Sequence, residues 1–329
     1  MMVAACVLAL AFAMDQCLGD PRVAWHPVRL IGHWIAYLER CLRRRGRADR
    51  LGGLILYLCA CALPLCFVGI SLHLVSASLW LESMLASLWI YACLGLKDLC
   101  AHAAPIAKAL RAGELRRAQQ AVGMIVGRDV SVLDEAGVAR AAIESVAENF
   151  VDACLAPLCC YLWAALLATS LGGDPILWGT LAVAWHRVTN TLDAMVGYRN
   201  EKYRKLGTVS ARMDDVLNFL PARLAIPVIA LAAQLSAHSA AGAWRVGWRD
   251  RLKHPSPNSA HAESAVAGAL GISLGGPTQY AQGTTDKAWL GGEGRAPTAK
   301  DLRHAVSLIL KAAWLGLLTV LLLSITLTA

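Results

Sequence analysis

The chain has 329 residues, 57% of them hydrophobic and only 16% charged, with a formal net charge of +8 and a mean hydropathy of +0.49. That leaves too little polar surface for a soluble chain of this length and points to an integral membrane protein. The eleven cysteines include no C-x-x-C pair and sit mostly in apolar runs, so they imply neither zinc nor a disulfide framework.

Along the chain, residues 2–14 form a first apolar segment, a span or partial span. It ends near A-F-A, as a secretory signal would, but no positive charge precedes it and a dense polar motif follows at once, which argues against cleavage. That motif, D-Q-C-L-G-D-P-R-V-A-W-H-P-V-R, gathers Asp15, Asp20, His26 and Arg29 among the turn-forming Gly19, Pro21 and Pro27. An interfacial loop is its plainer reading.

Six arginines follow within 40–50, a basic run that places this loop on the cytoplasmic side. No aromatic residues interleave it and no binding module accompanies it, so nucleic acid is not an expected partner. Runs at 51–73, 79–96, 153–172, 175–189 and 305–327 are long enough to cross a bilayer, and 219–235 is a polar-interrupted further candidate. The expectation is an all-α, polytopic integral membrane helical bundle of roughly six to eight segments with cytoplasmic helical loops. No linker or repeat divides it, so residues 1–329 read as one membrane-embedded domain.

Between the second and third long runs, 104–121 reads as an amphipathic helix, 126–134 as a turn and 136–149 as resumed helix. There, E-S-V-A-E-N-F-V-D spaces Glu144, Glu148 and Asp152 four residues apart, on one narrow helical stripe that runs into an apolar segment. A carboxylate at mid-bilayer costs about 2.5–3.5 kcal/mol on insertion scales, so such a stripe must face protein, water or a cation. A solvated helix face is the bland alternative for Glu144 alone.

In 190–218, Asn190 and Asp193 share a helix face, as do Asp214 and Asn218, with Asp215 adjacent and Tyr198, Arg199, Lys202, Arg204 and Lys205 between. Acids flanked by bases suit a Mg²⁺–phosphate site; a positive-inside anchor explains the bases equally well. If 219–235 spans, the basic region 237–303 falls on the wrong side, so Pro221 and Pro227 suggest a re-entrant segment and a cytoplasmic 237–303. Within it, H-P-S-P-N-S-A-H-A-E-S offers Ser256, Asn258 and Ser259 as helix caps, and His254 and Glu263, which capping does not explain. Gly271 and Gly275 have the small-xxx-small spacing of close helix packing.

No nucleotide-binding loop of the G-x-x-x-x-G-K-[ST] or G-x-G-x-x-G kind is present, nor a G-x-S-x-G elbow. The residues alone therefore reach a membrane enzyme acting on a phosphate-bearing substrate with a divalent metal. A membrane prenyltransferase with Asp-rich Mg²⁺–diphosphate motifs would leave the front motif and H-P-S-P-N without a role. A transporter should show inverted repeats, and none is visible.

Taken together, D-x-x-x-G-D-P with H-P-V (15–28), V-G-R-D (126–129), E-S-V-A-E-N-F-V-D (144–152), N-T-L-D-A-M-V-G-Y (190–198), A-R-M-D-D-V-L-N-F-L-P-A-R-L (211–224) and H-P-S-P-N-S (254–259) resemble the CbiB/CobD family of cobalamin biosynthesis, the membrane-bound adenosylcobinamide-phosphate synthases. The likeness runs nearly end to end and departs only at H-A-E-S (261–264), where a Pro-Glu-Ala-like continuation is expected. It implies ligation of adenosylcobyric acid to aminopropanol or its O-phosphate, consuming ATP with Mg²⁺. That places the chain in the inner membrane of a prokaryote with a cytoplasmic active face, where other membrane-associated corrinoid enzymes could be partners. On this reading Glu144, Glu148, Asp152 and Asp193 are catalytic, and Glu144, Glu148, Asp152, Asp214 and Asp215 hold metal. Asp20, His26, Arg128, Tyr198, Lys202, Arg212, His254, Ser256, Asn258 and Glu263 bind substrate.

Overall fold

The structure is a computed structural model that describes residues 1–327 apart from 22, 199, 281, 282, 286 and 293. Arg199, counted above among the bases of 190–218, lies outside the described residues. In chain order the helices are α1 (Met2–Leu18), α2 (Pro27–Arg44), α3 (Arg50–Val75), α4 (Leu79–Tyr91), α5 (Leu96–Arg111), α6 (Leu115–Val122), α7 (Glu135–Phe150), α8 (Ala156–Ser170), α9 (Pro175–Val196), α10 (Thr208–Gln234), α11 (Ala240–Asp250), α12 (Ser259–Leu270) and α13 (Ala299–Thr326). A π-helical turn, Val151–Leu155, joins α7 to α8. Short strands β1 (Leu274–Gly275) and β4 (Trp289–Leu290) pair antiparallel, as do β2 (Thr278–Tyr280) and β3 (Gly283–Thr285).

This is an all-α polytopic membrane protein. Among the described residues, five stretches are long and apolar enough to cross a membrane: 50–75, 79–111, 135–170, 208–234 and 299–326. The expected span at 175–189 is not one of them, because α9 carries His186, Arg187, Asn190 and Asp193 among its apolar residues. Nor does 219–235 break at its prolines; α10 runs through Pro221 and Pro227 for 27 residues. The amphipathic helix expected over 104–121 is two, α5 and α6, divided at Gly113 with φ +69°.

The chain forms two compact units. The first comprises 1–95, 156–217 and 317–329; the second comprises 96–155 and 218–316. In the first, Ile35 and Leu42 of α2, Leu56 and Tyr57 of α3, and Val188, Leu192 and Val196 of α9 form a buried cluster. Its polar edge is satisfied internally: the Tyr57 hydroxyl shares a 3.0 Å hydrogen bond with Thr189 Oγ1 and accepts from Trp185 Nε1 at 2.7 Å.

In the second unit α7 packs on α5, α6 and α12, and α11 packs on α12. The α11–α12 approach depends on absent side chains, since a Cβ on Gly268 would stand 2.2 Å from the Gly242 carbonyl oxygen. Small residues therefore do bring helices together, but not at the expected pair. Gly271 ends α12 in the left-handed conformation and Gly275 lies in β1 at φ +74°.

Local start signals are met by carboxylates and hydroxyls. Asp49, Asp134, Asp174 and Ser239 accept backbone N–H bonds at the starts of α3, α7, α9 and α11. Asn258 precedes α12 but its side chain makes no cap hydrogen bond, so the expected capping role is not the one it performs.

Candidate active site

Glu144 and Glu148 sit one turn apart on α7 and open into a cavity of about 180 Å³ within the second unit. Its wall is completed by Ile125–Arg128, Ser145, Asn149, Lys253, His254, Glu263, Gly275 and Lys287. Three separate sequence motifs thus meet here: V-G-R-D, E-S-V-A-E-N and the segment from His254 to Glu263.

The loop before α7 is tied down by its own polar atoms. Gln119 Nε2 donates to the Leu133 carbonyl at 2.8 Å, and the Ser145 hydroxyl donates to the Ile125 carbonyl at 3.2 Å. This holds Arg128 against Glu144, where the two form an ion pair with each side chain only 12% exposed. The other Glu144 oxygen accepts the Gly275 N–H at 2.6 Å. Both Glu144 oxygens are thereby engaged. Glu148 Oε1 accepts from the Ser259 hydroxyl at 2.7 Å.

Glu263 points from α12 toward the same pair and is 4% exposed. Burial raises its carboxyl well above the ordinary glutamate range, and the neighbouring Glu148 and Glu144 raise it further, against a weaker pull from Lys287 and Arg128.

The basic side of the cavity is equally constructed. His254 Nδ1 accepts the Ser256 N–H at 3.0 Å, so the neutral ring carries its proton on Nε2. That Nε2 lies 3.3 Å from Lys287 Nζ. The two nitrogens lie side by side on the cavity wall, where one anionic oxygen in the cavity can accept from both. Lys253 is steered by Asp250, whose Oδ1 is 2.6 Å from its Nζ. Asp250 is fully buried, which alone would raise it. Arg249, Lys253 and the Gly291 N–H outweigh burial and hold its carboxyl at about 2.

Asp152 departs from the regular stripe. The π-helical turn begins at Val151, so the turn-by-turn register that aligns Glu144 with Glu148 is interrupted before Asp152. Asp152 is half-buried and does not line the cavity.

Asn258 also belongs to the second unit, and the remaining predicted residues belong to the first. His26 is buried with Nε2 2.8 Å from Asp20 Oδ1. Asn190 Nδ2 donates to Asp214 Oδ1 at 3.4 Å, joining α9 to α10 beside Asp193 and Asp215. Lys202 lies over the Tyr203 ring at 4.6 Å, and the Tyr198 ring is 6.1 Å from that of Tyr203. Arg212 is exposed.

Sequence reasoning missed Lys253, Lys287 and Gly275. The two lysines counted only toward charge bias, although Lys253 directly precedes H-P-S-P-N. Gly275 was legible as special, but as a packing glycine and not as an N–H donor.

Among the described residues, no three or more His, Cys, Asp or Glu side chains gather as a closed metal site. The donors nevertheless fit magnesium, which commonly takes one or two protein carboxylates and completes its shell with water and substrate phosphate. Glu148 and Glu263 would supply that pair, and a divalent cation would relieve the charge crowding that raises the Glu263 carboxyl.

Residues 8–309 match the family model described as CobD/Cbib protein. The chain is 42% identical over 315 residues to "Cobalamin biosynthesis protein CobD" of Klebsiella pneumoniae subsp. pneumoniae, covering 94% of this chain and 93% of the relative. It is 39% identical to the protein of the same name from Streptococcus sanguinis, over 94% of each chain. It is 40% identical to "Cobalamin biosynthesis protein CbiB" of Salmonella typhi, over 94% and 93%. No solved structure matches the chain.

Proposed function

The chain belongs to the CobD/CbiB family, and on that premise we propose that it acts in cobalamin biosynthesis as an adenosylcobinamide-phosphate synthase. The reaction is ATP-dependent formation of an amide between a corrinoid carboxylate and aminopropanol O-phosphate. The observation that supports this reading most is the two-signed cavity, with Glu144, Glu148 and Glu263 on one part of its wall and Arg128, Lys253, His254 and Lys287 on another. A small molecule carrying both an ammonium and a phosphate is complementary to it. This favours the phosphate ester over the free amino alcohol, because His254 Nε2 and Lys287 Nζ face each other as donors.

The cavity volume of about 180 Å³ suits the small amine and is too small for a nucleotide or a corrinoid. Those larger substrates would meet it at its mouth. A carboxylate and an amine do not condense unaided. Transfer of the γ-phosphoryl group from ATP to the corrinoid carboxylate gives an acyl phosphate and ADP. The amine nitrogen attacks the carbonyl carbon, the C–O bond to phosphate breaks, and inorganic phosphate leaves with its electron pair.

Glu148, fixed by Ser259, takes the proton that the ammonium loses to free its nitrogen lone pair, and the second N–H proton, lost as the C–N bond forms, leaves with the inorganic phosphate. Arg128 keeps Glu144 in place to orient the ammonium, and Lys287 and His254 hold the phosphate ester. Magnesium, when bound with nucleotide phosphates, would be held by Glu148 and Glu263 and would neutralise phosphate charge. The resemblance also assigns Lys202 and Arg212 to ATP or substrate phosphates and Asp214 and Asp215 to metal, and leaves Asp152 and Asp193 as catalytic candidates. We place the chain in a prokaryotic inner membrane with its active face cytoplasmic.

Purified chain in detergent, supplied with adenosylcobyric acid, Mg-ATP and either aminopropanol or its O-phosphate, tests the reading. Amide product with the phosphate ester supports it. Absence of amide with either amine contradicts it.

A further inference from the structure

We propose that the start of α3 in the first unit is a binding site for an acidic phospholipid, with its phosphate among Arg50, Arg204 and Lys205 and its acyl chains along the exposed face of α3. A cavity of about 530 Å³ opens here, lined by Asp49, Arg50, Leu51, Arg204 and Lys205. The bases come from two parts of the chain that are distant in sequence, so the site is built by the fold and not by a single basic run. The turn before α10 is docked on α3 so closely that a Cβ on Gly53 would stand 2.3 Å from the Leu206 carbonyl oxygen. Arg43 fastens the same turn, donating from Nη2 to the Lys202 carbonyl at 3.0 Å.

The one carboxylate in the lining does not oppose an anion freely. Asp49 caps α3 by accepting the Gly52 N–H at 2.7 Å and lies 3.8 Å from Arg47 Nη1. Three cations are therefore left facing the opening, at the end of a helix long and apolar enough to cross a membrane.

The ligand class follows from what adjoins the bases. Leu51, itself part of the lining, begins a stripe of exposed apolar side chains that continues through Leu54 and Leu58 at helical spacing. These are 51%, 41% and 56% exposed. A free phosphate would use the bases and leave the stripe idle. An amphiphile with an anionic head uses both, and the head sits at the depth where basic residues meet lipid phosphate.

Native mass spectrometry of the delipidated full-length chain, titrated with phosphatidylglycerol, phosphatidylcholine or inorganic phosphate, tests this. Saturable phosphatidylglycerol binding is expected, weakened about 10- to 100-fold in R50Q/R204Q/K205Q. R40Q/R44Q/R45Q, which removes the same charge beside the neighbouring loop and leaves Arg47 on Asp49, should change it less than about twofold. L51S/L54S/L58S should weaken phosphatidylglycerol binding as well, and this variant carries the test if the first is not monodisperse. The proposal is overturned by equal retention of phosphatidylcholine, by inorganic phosphate binding as tightly as the lipid, or by an equal loss in the loop variant.

Discussion

Removing Arg128 should cost the second unit much of its stability, and removing Glu144 as well should restore most of it. The Arg128–Glu144 pair is 12% exposed on each side, so truncating the arginine leaves a carboxylate with little access to water. Breaking a buried pair in this way costs about 3–5 kcal/mol. The Gly275 N–H still serves one Glu144 oxygen, which places Arg128→Ala near the lower end, about 3 kcal/mol. In Arg128→Ala/Glu144→Gln no unpaired charge remains, and most of that loss should return.

The assay is unfolding of the detergent-solubilised chain by heat or SDS, with both single variants and the double variant completing a cycle. Amide formation should fall in all three, because each disturbs the carboxylate that orients the amine. An Arg128→Ala protein within about 0.5 kcal/mol of the parent would refute the reasoning, since the pair would then be solvated. So would a double variant no more stable than Arg128→Ala.

Gly275→Ala places a Cβ 2.4 Å from the Ala288 carbonyl oxygen at φ +74°, so amide formation should drop at least about tenfold, whereas Gly113→Ala, equally left-handed but with open space around it, should cost about 1 kcal/mol of stability and leave activity intact. Glu148→Gln should reduce the rate of amide formation by about 10²–10⁴-fold while sparing thermal stability; an unchanged rate in single-turnover assays would remove it as the proton acceptor. Glu263 and Asp250 should give opposite pH dependences. The raised Glu263 favours the folded state while protonated, a contribution fully present below about pH 4.3 and lost as pH rises toward its folded value, so Glu263→Gln should flatten the alkaline side of the stability profile. Asp250, held at about 2, stabilises above about pH 3.9 and loses that contribution as pH falls through 2, so Asp250→Asn should flatten the acid side.

The helical membrane character was legible because hydropathy and length decide it, and the long runs at 51–73 and 305–327 lie almost wholly within α3 and α13. Glu144 and Glu148 were legible for the same kind of reason: a four-residue spacing fixes a shared face wherever the chain is α-helical. It failed at Asp152 because a π-helical turn has no spacing signature that distinguishes it from the α-helix it interrupts. The helix break at 113 was marked by its glycine, but its amphipathic flanks read as continuous. Backbone donors are the other blind spot. Gly275 contributes its N–H to Glu144, and nothing in a side-chain pattern records which way a peptide group points. Likewise, Lys287 joins His254 only through strand pairing and loop geometry between residues that are distant in sequence.

The most direct test of amide ligation at the two-signed cavity is a product measurement with the purified chain, Mg-ATP, adenosylcobyric acid and aminopropanol O-phosphate, run beside Lys287→Ala. Adenosylcobinamide phosphate should form with one ADP released per amide, and Lys287→Ala should raise the KM for the phosphate ester more than for the free amine. Amide formation in which the parent chain prefers the free amine, or in which Lys287→Ala leaves the choice between the two amines unchanged, would contradict the assignment of the phosphate to this cavity.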